Sequence, residues 1–266
     1  MEDILRKLRL IVNQISPNGL HWRQSTQKLM AELPFECPLC RCGCVWPDRC
    51  CGPCANELPW NLQACRVCAH PLQRSKNRCL VCPPHNWDLA FSAFYYRDEV
   101  RWALARLKLS EAIDLGAMLG QLLEQYLNAR RLASLPDAII PIPISRQRCR
   151  ERGFNQVEAL LKGMSWRYRN RVHPLLDVSS SANVKGRNAT QRWRRNNPFQ
   201  VTQEVPERIA ILDDIYTTGS TLSRATEILR QAGAKYVEVW TIARTPRPGY
   251  GDCYWLTDTT FPSTKD

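Results

Sequence analysis

No run in this sequence approaches the roughly 18 apolar residues that a membrane-spanning helix requires, so insertion into a bilayer is not expected. The first stretch, MEDILRKLRLIVNQIS, is charged every few positions and lacks the apolar core and small-residue cleavage site of a secretory signal. The expected compartment is the cytoplasm. Acidic residues are scarce where basic ones crowd. Between Arg146 and Arg195, thirteen Lys and Arg stand against three acids (Glu151, Glu158, Asp177), an excess of +10 in a chain of net charge +12. A balance that basic favours anionic partners such as nucleic acid or phosphate esters. Cysteine is nearly absent outside one stretch: eleven of the thirteen lie between Cys37 and Cys82, leaving Cys149 and Cys253. Disulfides are rare in a reducing compartment, and an odd count cannot pair fully within one chain, so the clustering points to metal. Disorder throughout is excluded, because 44% of the residues are hydrophobic and can bury a core.

Within that stretch four C-x-x-C pairs can be written: Cys37/Cys40, Cys51/Cys54, Cys65/Cys68 and Cys79/Cys82, whose first members recur every 14 residues. Two thiolates three positions apart can face one ion across a tight knuckle, and two knuckles complete a tetrahedral S4 site, the usual structural zinc site. Eight ligands imply about two Zn²⁺ ions, whose binding would supply much of the segment's folding free energy. Spacing alone leaves open whether knuckles pair consecutively or alternately. It also leaves open partial metal occupancy and a redox dithiol. Cys42, Cys44 and Cys50 lie close enough to the proposed ligands to compete with them.

The expected organisation is a helical extension over 1–36, a cysteine-rich zinc module over 37–85, an α/β domain over 88–245 and a tail over 246–266. In the extension Ile4, Leu8, Ile11 and Ile15 share one helical face before a break at Pro17–Gly19. In the α/β domain strands are expected at 89–96, 138–144, 209–213 and 236–243. Helices are expected within 98–131, at 154–168 and at 220–232, with Gly233 as a C-terminal stop. Alternating strands and helices imply a parallel sheet covered on both faces, with ligands bound where strands lead into helices.

The segment IAILDDIYTTGSTL, 209–222, joins a buried strand, two acids and a hydroxyl- and Gly-rich turn that opens a helix. Thr217, Thr218, Gly219, Ser220 and Thr221 can offer successive N–H and hydroxyl donors to a phosphate, backed by the positive end of the helix dipole. Asp213 and Asp214 carry the wrong charge for a phosphate. They suit the vicinal hydroxyls of a ribose. A plain capped helix would need the hydroxyls alone.

LDDIYTTGST resembles the phosphoribosyl-pyrophosphate (PRPP) signature of type I phosphoribosyltransferases. PIPISRQRCRERGFNQVEALL, 141–161, resembles a segment of the ComF/GntX family through Arg148, Arg152, Gly153, Phe154, Asn155 and Gln156. TQRWRRNNPFQV, 190–201, resembles another through Gln191, Arg194, Arg195, Asn197 and Phe199, with Trp193 where the family often has Leu. Arg106–Lys108 also fit. The resemblance implies a type I phosphoribosyltransferase-like α/β sheet with helices on both faces, preceded by a small double zinc-ribbon-like module. It implies PRPP or another ribose-5-phosphate ligand with Mg²⁺. Asp213 and Asp214 would be the central acids on the ribose, Thr217–Thr221 would hold the 5′-phosphate, and Arg148 and Arg152 would grip pyrophosphate. A hood over 180–198 would close on the substrate. It also implies a role in the use or uptake of external DNA, with proteins of the uptake machinery as partners.

One departure weakens the case for turnover. Purine-type members carry an acid three positions after the second acid of the pair, and Thr217 stands there. Three readings follow. One is a phosphoribosyltransferase. Another is a non-enzymatic single-stranded DNA-binding component that reuses the phosphate pocket, with Arg192, Arg194 and Arg195 on the nucleic acid. The third is a PRPP-sensing regulator or adaptor.

Overall fold

The computed structural model describes residues 35–44, 49–72, 78–79, 82–108, 112–130, 134–144, 149–150, 153–178 and 198–246. Residues 1–34, the tail from 247 onward, and Arg148, Arg152, Arg192, Trp193, Arg194 and Arg195 lie outside the described residues, as does nearly all of the expected hood. The chain divides into two compact units, one ending at Glu57 and the other starting at Leu58.

In the first unit β1 (Phe35–Glu36) pairs antiparallel with β2 (Gly43–Cys44), and helix α1 (Gly52–Glu57) follows. The second unit runs β3 (Leu89–Tyr95), α2 (Asp98–Leu107), α3 (Ile113–Arg130), β4 (Ala138–Pro141), α4 (Gln156–Gly163), α5 (Trp166–Arg169), β5 (Leu176–Val178), β6 (Phe199–Val201), β7 (Arg208–Tyr216), α6 (Ser220–Gln231) and β8 (Tyr236–Arg244). Strands β3, β8, β7 and β4, in that spatial order, form a wholly parallel sheet. The short β5 and β6 form a separate antiparallel ribbon.

Side chains alternate between faces along a strand. Ile209 and Ile211 of β7 pack with Leu222, Ala225 and Leu229, which share one face of α6. Ala210 and Leu212 point the other way and are equally buried. On that face of β8 the Trp240 ring lies 5.9 Å from the Tyr168 ring of α5. Both faces are therefore covered, which explains the near-continuous apolar runs in β4, β7 and β8. Neither sheet edge is left bare. Tyr95 N–H donates to Pro59 O and Asn61 N–H to Ala93 O, both at 2.8 Å, so the 59–61 segment lies along β3. Ile139 N–H donates to Arg171 O at 2.6 Å, and His173 N–H to Ile139 O at 2.9 Å, along β4. Such covering removes a template for unwanted strand addition.

The fold class expected from the sequence, a parallel sheet with helices on both faces, is the one observed. One boundary differs in a way that matters. β7 does not stop at Asp213 but continues to Tyr216, because β8 pairs with it as far as Tyr216 opposite Arg244. The two acids thus sit on the last turns of a paired strand, not in a loop.

Candidate phosphate site and cysteine clusters

At the carboxyl ends of β4 and β7 lies a cavity of about 520 Å³. Asp213, Asp214, Thr217 and Thr221 line it, together with Lys108, Gln156, Val178 and Phe199. Asp213 Oδ1 accepts from Asp214 N–H at 2.9 Å, and Asp214 Oδ1 accepts from Ile215 N–H at 2.7 Å, so both carboxylates are fixed by their own backbone. Lys108 Nζ stands 3.7 Å from Asp214 Oδ2. Burial, then the charge of Asp214, raises the Asp213 carboxyl well above its usual pKa. Bringing a cation or donors to this pair favours its ionised form.

The turn itself is shaped by Gly219, which caps α6 at φ 81° and offers no side-chain acceptor to the first helical turn. A Cβ there would lie 2.8 Å from the Tyr216 ring and 3.1 Å from the Trp87 ring. Thr218 Oγ1 accepts from Ser220 N–H at 3.3 Å. The first-turn N–H groups of a helix are orphan donors, suited to an anion. Thr217 lines the main cavity and also a second groove of about 660 Å³. Thr218, Gly219 and Ser220 belong to that second groove, with His85 and Trp87 opposite. Of the predicted phosphate turn, then, Thr217 and Thr221 share the cavity with the two acids, while Thr218, Gly219 and Ser220 line the second groove.

Three cavity residues had matched the family pattern without receiving a role: Lys108, Gln156 and Phe199. Lys108 follows α2, at the far end of the chain segment from the acids it meets, so only the tertiary fold brings them together. Gln156 is the first residue of α4, capped by Asn155, whose Oδ1 accepts from Val157 N–H at 3.1 Å. Gln156 is 3% exposed, and its Nε2 has no hydrogen-bond partner among the described residues. A ligand in the cavity would satisfy it. Phe199 and Val178 are opposite one another in the β5–β6 ribbon. Val178 and Pro198, the described residues on either side of 179–197, both line the cavity.

The cysteines gather in two groups, Cys37, Cys40, Cys51 and Cys54 in the first unit and Cys65, Cys68, Cys79 and Cys82 in the second. Knuckles pair consecutively, which the spacing had left open. Within each group all sulfurs lie within 4.8 Å of one another, with Cys40–Cys51 at 3.5 Å, Cys68–Cys79 at 3.6 Å and Cys65–Cys82 at 3.8 Å. A tetrahedral zinc site with bonds of about 2.3 Å requires sulfurs about 3.8 Å apart, so both groups fit the ion. Both leading knuckles have the same backbone: Arg41 N–H donates to Cys37 O and Ala69 N–H to Cys65 O, each at 2.8 Å, with Arg41 and Ala69 at φ 64° and 51°. The thiols interact strongly. A hydrogen bond from Cys68 leads the forces that bring Cys65 down to about 4, whereas burial and then the Cys65 charge push Cys79 up to about 12. A divalent cation would hold all four as thiolates.

No family model matches the chain. Competence protein ComFC of Streptococcus pneumoniae is 36% identical over 107 residues, which is 40% of this chain and 47% of that protein. DNA utilization protein YhgH of Salmonella typhimurium is 30% identical over 221 residues, 79% of this chain and 84% of the relative. The chain belongs to the ComF family. Among solved structures, that of the allosteric regulatory enzyme of purine biosynthesis is 19% identical over 47% of this chain and 25% of its own, with a TM-score of 0.35. Among the described residues, no helix is long and apolar enough to cross a membrane.

Proposed function

We propose that this ComF-family chain serves the use or uptake of external DNA through a domain that binds PRPP or another ribose-5-phosphate ligand. The observation that carries the reading is the cavity in which Asp213 and Asp214 stand with Thr217 and Thr221, the two ends of the turn, at the strand ends. The acids suit the 2′- and 3′-hydroxyls, and the turn and α6 suit the 5′-phosphate. Lys108 beside Asp214 keeps a compensating positive charge in the same space. Mg²⁺ would accompany the pyrophosphate, and Arg148 and Arg152 would hold its far end.

Phosphoribosyl transfer is the reaction such a site would perform. It passes through a cationic sugar centre, so the protein mainly positions groups and stabilises the departing pyrophosphate. Thr217 in place of an acid leaves proton transfer at an acceptor base without an obvious carboxylate. A specific observation favours a second reading. The excess of +10 over 146–195 exceeds what one PRPP needs, and suits single-stranded DNA held across the cavity mouth.

Calorimetric titration tests both. PRPP with Mg²⁺ should bind with little dependence on moderate salt, and single-stranded DNA should bind with affinity that falls steeply between two salt concentrations. Absence of heat with PRPP, in protein that still binds DNA, would overturn the first reading in favour of the second.

A further inference from the structure

Arg244, at the end of β8, is fully buried. Its Nε donates to Cys68 O at 3.0 Å, inside the first knuckle of the second cysteine group. Its Nη1 donates to Tyr216 O at 2.9 Å and to Thr217 O at 2.6 Å, at the start of the phosphate turn. One rigid guanidinium fork therefore spans a metal knuckle and the ligand turn. Its carbon lies 3.9 Å over the Tyr216 ring, the ring against which Gly219 is packed.

A second link runs beside it. Trp87 Nε1 donates to Val67 O at 2.7 Å, between the two cysteines of the same knuckle. The other end of that indole is the atom closest after Tyr216 to where a Gly219 Cβ would be. From Cys82 the chain passes directly into this segment, and Asn86 Nδ2 donates to Ser223 O at 2.8 Å, in the first turn of α6. Knuckle, turn and helix start are thus joined by three side chains, all within the second unit.

We propose that metal occupancy at Cys65, Cys68, Cys79 and Cys82 sets the affinity of the Thr217–Thr221 turn for its ligand, with Arg244 and Trp87 as the positioning residues that couple the two sites; the ligand half of this statement rests on the PRPP reading above. Without the ion, the four thiols no longer define the position of the Cys68 and Val67 carbonyls. Arg244 and Trp87 then lose the fixed points from which they hold Tyr216, Thr217 and Gly219. Neither residue is among the four cysteine ligands, and neither lines the cavity with the acids. Coupling of this kind is reciprocal: the factor by which zinc tightens PRPP is the factor by which PRPP tightens zinc.

The test uses full-length protein lacking the first site through Cys37→Ser and Cys40→Ser, zinc-loaded at the second, and the same protein stripped by a chelator under reducing conditions. Hydrogen exchange of the 216–223 amides should accelerate on stripping while the amides of β4 and β8 stay protected. The PRPP dissociation constant should rise about fivefold or more, and PRPP should tighten zinc, read by equilibrium competition with a chromophoric chelator, by a matching factor. Should stripping unfold the domain, Trp87→Phe with zinc bound decides: it removes the donor to the knuckle and the distal indole edge near Gly219 while keeping an aromatic ring. It should weaken PRPP and zinc binding together, and Arg244→Gln should do so more strongly. Unchanged exchange at 216–223, or a PRPP constant within twofold in folded stripped protein, overturns the link. So does a Trp87→Phe variant that matches the parent in both PRPP affinity and zinc affinity. A loaded parent that binds no PRPP overturns the ligand assignment alone, and the exchange measurement still decides the coupling.

Discussion

On the proposed ribose-phosphate reading Asp213 accepts most strongly from ligand hydroxyls when ionised, yet burial and the adjacent Asp214 carboxylate raise its pKa. A folded-state value above the unfolded one, about 3.9, means the folded chain binds the proton more tightly. The ligand-free protein therefore loses stability as pH rises from about 4 through the folded-state pKa, and the cost persists above it. Asp213→Asn should raise the melting temperature of the empty protein at neutral pH, with a gain over the parent that shrinks toward pH 4. A lower melting temperature at both pH values would show that the carboxylate is stabilising. The same change, combined with Asp214→Asn, should remove PRPP binding. Charged hydrogen bonds contribute about 1.5–3 kcal/mol each, so two lost acceptors place the affinity beyond calorimetric detection. Gly219→Ala is a different case: its φ of 81° and the two rings that a Cβ would meet cost about 1–2 kcal/mol or more, read as a lower denaturation midpoint, together with weaker PRPP binding. The Asp pair, Thr217–Thr221 and Gly219 could be picked out in the sequence because all belong to one short segment. Lys108 could not be assigned, since 106 residues separate it from Asp214 and only the sheet brings them to 3.7 Å.

Helices α3 and α4 show how closely two elements can be required to fit. A Cβ on Gly120 would fall on the carbonyl of Leu160, and one on Gly163 would fall on the carbonyl of Ala117. Gly116, one turn before Gly120, would meet the Ala159 Cβ at 2.6 Å. The backbones touch along a small-residue seam, and this seam fixes where α4 begins, hence where Gln156 enters the cavity. Gly120→Ala should lower stability by about 1–3 kcal/mol in chemical denaturation, since backbone must move rather than a side chain rotate. If the midpoint is unchanged, the two helices are not held at that distance in solution. The strand–helix alternation was readable from periodicity. The seam was not, because an isolated Gly in a helix has the same appearance whether it faces solvent or another backbone. Nor was the full length of β7, whose apolar run is interrupted by the two acids before Ile215 and Tyr216, which pairing with β8 keeps in the strand. The β5–β6 ribbon went unread for a similar reason: three residues on each side of a long polar segment leave no period to detect.

Across the whole molecule, two cysteine groups and one basic segment define what the chain can bind. Elemental analysis of reduced protein should find about two zinc ions per chain, and fewer than one would exclude the paired S4 sites. The regular 14-residue recurrence made the eight ligands readable, whereas the division of the groups between two units was hidden: it depends on tertiary hydrogen bonds such as Ala90 N–H to Arg66 O at 2.8 Å, which joins the Cys65/Cys68 knuckle to β3. The basic segment bears on the choice between a small ligand and a polymer. Val178 and Pro198, which bracket 179–197, both line the cavity. The arginines at 192, 194 and 195 fall between these two residues in the sequence. If they meet successive phosphates of single-stranded DNA, changing all three to Ala should weaken binding to every sequence alike. Each phosphate contact on a single strand contributes about 0.7 to the salt slope, so three should lower it by about two units. PRPP affinity should stay within a few-fold of the parent, because the acids and the Thr217–Thr221 turn are untouched. Should the triple variant keep the parent's DNA affinity and slope, the surplus charge on this segment serves something other than DNA, and the site's chemistry is that of a small phosphorylated sugar alone.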